Sequence, residues 1–215
     1  MPKDIPVSNG NLLFNFDSDY RIRDVYFPLI GQENHSKGHP FRFGVWVDGG
    51  FSWMGPEWKR DLRYHDDSLV TDVFLKNEAL CLELRCSDVV DLDLNVYIKK
   101  VEVTNLEEKE RQVRLFFTHD FHLYGNDIGD TAYFDPRTRS IIHYKANRYF
   151  LINCSGGGKC GVDYFACGIK EIEGKEGTWK DAEDGELSGY PVAWGSADST
   201  IGIWLRLPPG GKATA

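Results

Sequence analysis

Apolar and polar residues alternate with a period of two along most of the chain, the pattern of strands with one buried face. "LVTDVFL" and "ALCLELRC" carry it on either side of Asn77-Glu78, which predicts a hairpin with a tight turn. "SIIHYK" and "RYFLINC" predict a second hairpin around Ala146-Asn147. "FRFGVWVDGGFSWM" predicts a third, with Phe41, Phe43, Val45 and Val47 alternating with Arg42, Gly44 and Trp46 and a turn at Asp48-Gly49-Gly50. "RQVRLFFTHDF" and "IGIWLRL" add two strands. In "DLDLNVYI", Leu92, Leu94, Val96 and Ile98 share one face, whereas Val101 and Val103 take the opposite parity. A bulge or bend near Lys99-Lys100 is therefore expected.

Helical periodicity is nearly absent. "GTWKDAEDGELSG", from Gly177 to Gly189, predicts one or two helical turns within a connection. The expected class is all-β, a large antiparallel sandwich. "IGIWLRLPPGGKATA" reads as a strand, a turn at Pro208-Pro209-Gly210-Gly211 and the first residues of another strand, so we expect a piece cut from a longer protein.

The 215 residues suffice for a sizeable core. Lys and Arg total 25 against 33 Asp and Glu, a net charge of -8 with no segregated basic patch, which argues against nucleic acid as a partner. No apolar run approaches the roughly 20 residues of a membrane helix, and the N-terminus lacks a secretory h-region. Cys81, Cys86, Cys154, Cys160 and Cys167 are scattered without C-x-x-C spacing, so a reduced, cytoplasmic setting is expected.

His35 and His39 are four apart, but Gly38 and Pro40 forbid a helix, and the pair reads as loop histidines bound to backbone or water. In "THDFH", Asp120 and His122 point one way and His119 the other, so Asp120 and His122 pair but three ligands do not converge without help from elsewhere. No metal site and no tightly bound zinc are expected. Asn126, Asp127, Asp130 and Asp135 crowd a glycine-containing loop that lacks the EF-hand pattern, which favours a structural or interface role. Glu57 and Asp61 near Trp53 and Trp58 suit a sugar site, yet "PEWKRD" reads equally as a solvated salt-bridge turn. "SGGGKCG" lacks phosphate-loop spacing, no nucleophile elbow is present, and no cofactor is implied.

"NGNLLFNFDSDYRIRDVYFPLIGQENH", "FRFGVWVDG", "WKRDLRYHDDSLVTDV", "HDFHLYGNDIGDTAYFDP" and "EGTWKDAEDGELSG" together resemble the N-terminal domain of prokaryotic glycoside hydrolase family 15 enzymes. These are glucoamylase-, glucodextranase- and trehalase-like proteins, and the resemblance runs from Gly10 to Leu207. It implies a galactose-mutarotase-like supersandwich spanning 1–215, whose last strand is cut after Ala215. It also implies an (α/α)6 barrel elsewhere in the same polypeptide that carries the catalytic glutamates and acts on α-glucan or trehalose. No catalytic residue transfers to this chain. The resemblance makes the loops "QENHSKGHP" and "GNDIGDTA" candidates to face that barrel, with His35, His39, Arg42, Trp53, Trp58, Asn126, Asp127 and Asp130 as domain-interface or sugar contacts. The cut end implies an open sheet edge beside "IGIWLRL" and self-association there. Two other readings stand: a carbohydrate-binding module using Trp53, Trp58, Trp179 or Trp194, and a mutarotase-like epimerase using His119, Asp120 and His122.

Overall fold

The computed structural model describes residues 5–171 and 174–215, and almost every regular element is an antiparallel strand. β1 (Ile5–Ser8), β2 (Leu13–Phe16) and β3 (Ile22–Tyr26) form a small sheet. β4 (Phe43–Val47) and β5 (Gly50–Trp53) form a hairpin, and β6 (Lys59–Tyr64), β7 (Thr71–Asn77), β8 (Leu82–Val90) and β9 (Tyr97–Asn105) a meander. β10 (Arg111–His119) returns to pair with β4. β11 (Asp130–Asp135), β12 (Ser140–Lys145) and β13 (Arg148–Ile152) open a four-stranded sheet. β14 (Ser155–Gly156) and β15 (Lys159–Cys160) make a minor hairpin. β16 (Tyr164–Ile169), β17 (Val192–Gly195), β18 (Ala197–Leu207) and β19 (Lys212–Thr214) complete the sheets.

Two five-stranded sheets, ordered β16-β18-β10-β4-β5 and β19-β9-β8-β7-β6, dominate the fold. Val45, Val113, Leu115, Ile203 and Leu205 of the first meet Val73, Leu75, Leu84, Val101 and Val103 of the second in one buried cluster. This is the sandwich that the alternation predicts. A smaller core joins Ala132, Ile141 and Ala193 of the four-stranded sheet to Cys167, Ala197 and Ile201. The hairpin at Asp48-Gly49 forms because both residues take positive φ, 52° and 83°, the geometry that matches strand twist in a two-residue loop.

Two expectations are corrected. The β8–β9 register runs unbroken from Leu82↔Asn105 to Val90↔Tyr97, so there is no bulge at Lys99-Lys100. Leu92, Leu94, Val96 and Ile98 are exposed, while Val101 and Val103 face the core. Residues 91–96 are a loop, closed by the Asp91 carboxylate accepting the Asp93 and Leu94 N–H groups at 2.9 and 2.8 Å. The second correction concerns "IGIWLRL". β18 lies inside its sheet between β16 and β10, and its Ile201, Ile203, Leu205 and Leu207 are buried. The chain turns at Pro208–Gly211 and crosses to the opposite sheet, where β19 pairs with β9. On the β16 side the pairing covers Ala197–Gly202, whereas Ile203–Leu207 pair with β10 alone.

Residues 177–189 lie as a strap across the other face of the first sheet, with one 3-10 turn at Asp181–Asp184. Trp53 Nε1 donates to Glu183 at 3.2 Å, and Arg114 is held between the rings of Trp46 and Trp204 and pairs with Glu186. Gly185, at φ 88°, rests on Trp46, where a Cβ would come within 2.6 Å of the indole. Under the strap, Asp198 accepts the Thr178 N–H and hydroxyl on Oδ2 at 2.7 and 3.0 Å, while its Oδ1 is buried without a hydrogen-bond partner. Burial pushes Asp198 up to about 7 against the opposing pull of the Thr178 bonds.

At Gly44 a Cβ would sit 2.7 Å from both Phe51 and Trp53, so Gly44→Ala should destabilise by about 1–3 kcal/mol in urea unfolding. Gly49→Val, at a left-handed position where open space does not relieve backbone strain, should destabilise by about 1–2 kcal/mol, and Gly49→Asn by less than Gly49→Val. Asp198 sets a pH dependence. Its folded pKa lies above the unfolded value of about 3.9, so the folded chain holds a proton that the unfolded chain gives up. Its contribution is complete below about pH 4 and is lost as pH rises through 7, on the order of 4 kcal/mol. The stability difference between wild type and Asp198→Asn should therefore move in favour of the variant between pH 4.5 and 7.5.

Candidate functional site

The two polar loops singled out in the sequence pack against each other. His35 sits in the middle of the first and is fully buried: Nε2 lies 2.6 Å from the Phe27 carbonyl, and Nδ1 accepts the Tyr124 N–H at 3.1 Å. Only the tautomer protonated at Nε2 satisfies both. Burial lowers its pKa, as expected for an imidazole kept neutral. The His35 carbonyl accepts the His122 N–H at 2.7 Å, which fastens the loop to the end of β10. Further out, Lys37 pairs with Asp127 at 3.4 Å and Arg148 with Glu33 at 2.9 Å.

The "GNDIGD" loop is held from within. Asn126 Oδ1 accepts the Ile128 N–H, and the Lys145 ammonium donates to the carbonyls of Leu123 and Asn126 and pairs with Asp130. Asp130 is 1% exposed and accepts the Leu123 N–H at 3.2 Å. Burial raises its pKa against the pull of Lys145. At the tip, Ile128 is 81% exposed, while the partly exposed Tyr124 ring lies against His35 and Arg148.

Beneath these loops lies a charged cluster whose centre is a residue that the sequence analysis does not single out. Lys170, directly after β16, is 2% exposed, and its ammonium contacts the Asp120 carboxylate, the Phe121 carbonyl at 2.9 Å and His122 Nε2 at 2.8 Å. Burial would raise Asp120, but the bonds from His122 and Lys170 prevail and hold it at about 2. The other ring nitrogen of His122 contacts Asp127. His39 stacks on His122 with centroids 4.0 Å apart, and its Nδ1 is 3.3 Å from Glu171. Two sets of side chains converge closely enough to hold an ion: His39, Asp120 and His122, and His122, Asp127 and Glu171. In the first set the Lys170 ammonium already supplies the positive charge.

The remaining predicted positions separate. Trp58 is buried, with Nε1 donating to Ser52 at 3.0 Å, and is no surface contact. His35 and Asp130 are buried too, with their polar atoms engaged by backbone and by Lys145. Trp53 and Arg42 lie under the strap. The Arg42 guanidinium stacks 4.6 Å over Trp179, and its Nη1 is buried without a hydrogen-bond partner. Trp53 and Trp179 meet edge to face at 66°, not as coplanar rings. His39, Asn126 and Asp127 remain at the surface. The Asp120–His122 pair forms at 3.1 Å, whereas His119 turns to the opposite side against Phe41 and Ser199, so the three epimerase candidates share no cavity. Burial lowers His119 to about 4.

Nothing in the sequence around "GIKEIEG" marks Lys170, and Asp198 and Thr178 are equally silent. Each acquires its role from residues distant in the chain. Cys154 and Cys160, which flank the minor hairpin, are free thiols. No helix among the described residues is long and apolar enough to cross a membrane.

No family model matches the chain. Over 204 residues, 94% of its length, it is 25% identical to an uncharacterized glycosyl hydrolase of Methanocaldococcus jannaschii, of which it covers 31%. The crystal structure of a bacterial glucoamylase complexed with acarbose shares its fold, with a TM-score of 0.72 at 14% identity over the whole chain and 33% of the glucoamylase. The chain thus spans about a third of each protein. The sequence similarity is to part of a glycosyl hydrolase, and the structural likeness is one of fold, an all-β sandwich similar to a portion of the longer glucoamylase chain.

Proposed function

We propose that this chain is a non-catalytic accessory domain, the N-terminal supersandwich of a cytoplasmic glycoside hydrolase that acts on α-glucosidic bonds in the manner of a glucoamylase or trehalase. Its partner is an (α/α)6 catalytic domain of the same polypeptide, and through it α-glucan or trehalose. The observation that carries this reading is the rigid, interlocked surface built by the 27–41 and 120–130 loops. Ion pairs fix its rim, Lys37–Asp127 and Glu33–Arg148, while Ile128 and Tyr124 project an apolar tip. A polar rim around an apolar centre suits a domain interface. The groups that acid-base chemistry would require are bound to one another instead: Asp120 to Lys170 and His122, and Asp130 to Lys145.

A second reading, a carbohydrate-binding module, has one observation in its favour. Tyr149, Leu151, Val192 and Trp194 are exposed on the outer face of the four-stranded sheet, and Tyr144 and Tyr149 stack at 5.5 Å with rings 10° from parallel. Flat aromatic faces stack on sugar rings as well as on protein.

Residues 1–215 should release no glucose from maltooligosaccharides or trehalose, whereas the polypeptide extended along its reading frame should release it. Hydrolysis by the short chain that a point mutation within it abolishes would overturn the accessory reading. In the extended protein, Ile128→Lys should separate one thermal transition into two, and a single unchanged transition would remove the loop surface from the interface. Retardation of the short chain in an amylose gel, lost in Trp194→Ala and Tyr149→Ala, would favour the binding module.

A further inference from the structure

The two nitrogens of His122 face different chemistry. Nε2 looks inward, 3.1 Å from the Asp120 carboxylate and 2.8 Å from the Lys170 ammonium. Nδ1 looks outward to Asp127, and a Glu171 oxygen completes a set of three ligand atoms lying within 4.8 Å of one another. The three residues come from the stretch just after β10, the 123–130 loop and the residue that follows Lys170. They grade from a buried imidazole to exposed carboxylates, so one side of the set is open to solvent.

We propose that His122 Nδ1, Asp127 and Glu171 form a site for a divalent transition metal, with Zn²⁺ as its preferred occupant. One imidazole and two carboxylates offer the nitrogen and oxygen donors that zinc accepts at about 2.0–2.2 Å. A metal-bound histidine needs its other nitrogen protonated and anchored, commonly on a carboxylate. Asp120 stands at that position. With the imidazole proton on Nε2, that N–H donates to the Asp120 carboxylate and the Nδ1 lone pair is free for the metal. The Lys170 ammonium gives up its contact with Nε2 but keeps Asp120 and the Phe121 carbonyl, so the inner carboxylate stays neutralised whether or not metal is bound. His39 stacks on the ligating ring with its Nδ1 3.3 Å from Glu171, where it steadies the outer carboxylate. Water completes the open side, and loss of the Lys170–Nε2 contact keeps the site weaker than a closed structural zinc centre. Spacing rules miss it because the ligands are gathered by tertiary contacts, with His122 and Asp127 on a loop rather than a helix. The site does not depend on the domain reading proposed above.

The test is calorimetric titration of the metal-free chain with ZnCl₂ in a Cys160→Ser background, which removes the exposed thiol. One Zn²⁺ per chain is expected, with affinity falling at least tenfold in both Asp127→Asn and Glu171→Gln. Asp135→Asn, at a half-buried acid on β11 outside the set, should bind as the parent does. Circular dichroism and melting temperature identify any variant that has lost its fold, and Glu171→Ala then replaces Glu171→Gln. Co²⁺ in place of Zn²⁺ should give visible d–d bands without thiolate charge transfer. No heat of binding at millimolar Zn²⁺ overturns the proposal. Binding unchanged by both substitutions, or lost in only one of them, also overturns it.

Discussion

A buried ammonium must be surrounded by acceptors, and the surroundings of Lys170 organise much of this molecule. It ties the end of β16 to the Asp120 carboxylate and the Phe121 carbonyl just beyond β10. Removing one member of such a buried pair typically costs about 3–5 kcal/mol, because the other charge is left without compensation. With Asp120 held, His122 is held, and its backbone N–H then positions His35 and the whole 27–41 loop. The surface assigned to domain contact and the acidic set assigned to metal are two outer layers over one inner charge.

The two faces of the first five-stranded sheet follow different rules. Its inner face is aliphatic and packs on the β6–β9 meander. Its outer face carries Arg42, Trp46, Phe51, Trp53, Arg114 and Tyr164, a mixture too polar for a dry core and too aromatic to be left open. The strap resolves this by supplying partners for both characters: Glu183 and Glu186 for the donors, and Trp179 and Gly185 for the ring faces. A sheet face of this composition resembles a ligand surface in the sequence, but here its partners lie within the same chain.

The strands were legible because each hairpin is a local object. The turns at Asp48-Gly49 and Ala146-Asn147 declare themselves through residue type and flanking alternation, whereas the one expected at Asn77-Glu78 falls instead on Glu78–Cys81, with Asn77 paired to Leu82. Parity misled at Leu92–Ile98, where apolar residues are outward-facing and the carboxylate of Asp91 closes a loop instead of extending a strand. The fate of "IGIWLRL" was hidden for a different reason. Strand order depends on pairings between remote segments, and alternation reports a buried face but not a neighbour. The site was half legible. Asp120 and His122 announced their pairing, as did the role of the "GNDIGD" loop, while Lys170 and Glu171 enter only through the chain's return along β16.

The position of β18 also decides the order in which the molecule is assembled. β6 to β9 are sequential hairpin neighbours and close as soon as they are made. β10 gains its second partner only when the far end of the chain arrives, since Arg111 pairs with Leu207 and His119 with Ser199. Contacts of such long sequence separation form late, because a large loop must first be closed. On a ribosome, one edge of β10 therefore stays unpaired while nearly half the chain is still being synthesised. In that interval the free edge offers a second nascent chain the same hydrogen bonds that β18 will claim. The hazard of intermolecular pairing at β10 thus belongs to the time of synthesis, and the finished sheet covers that edge.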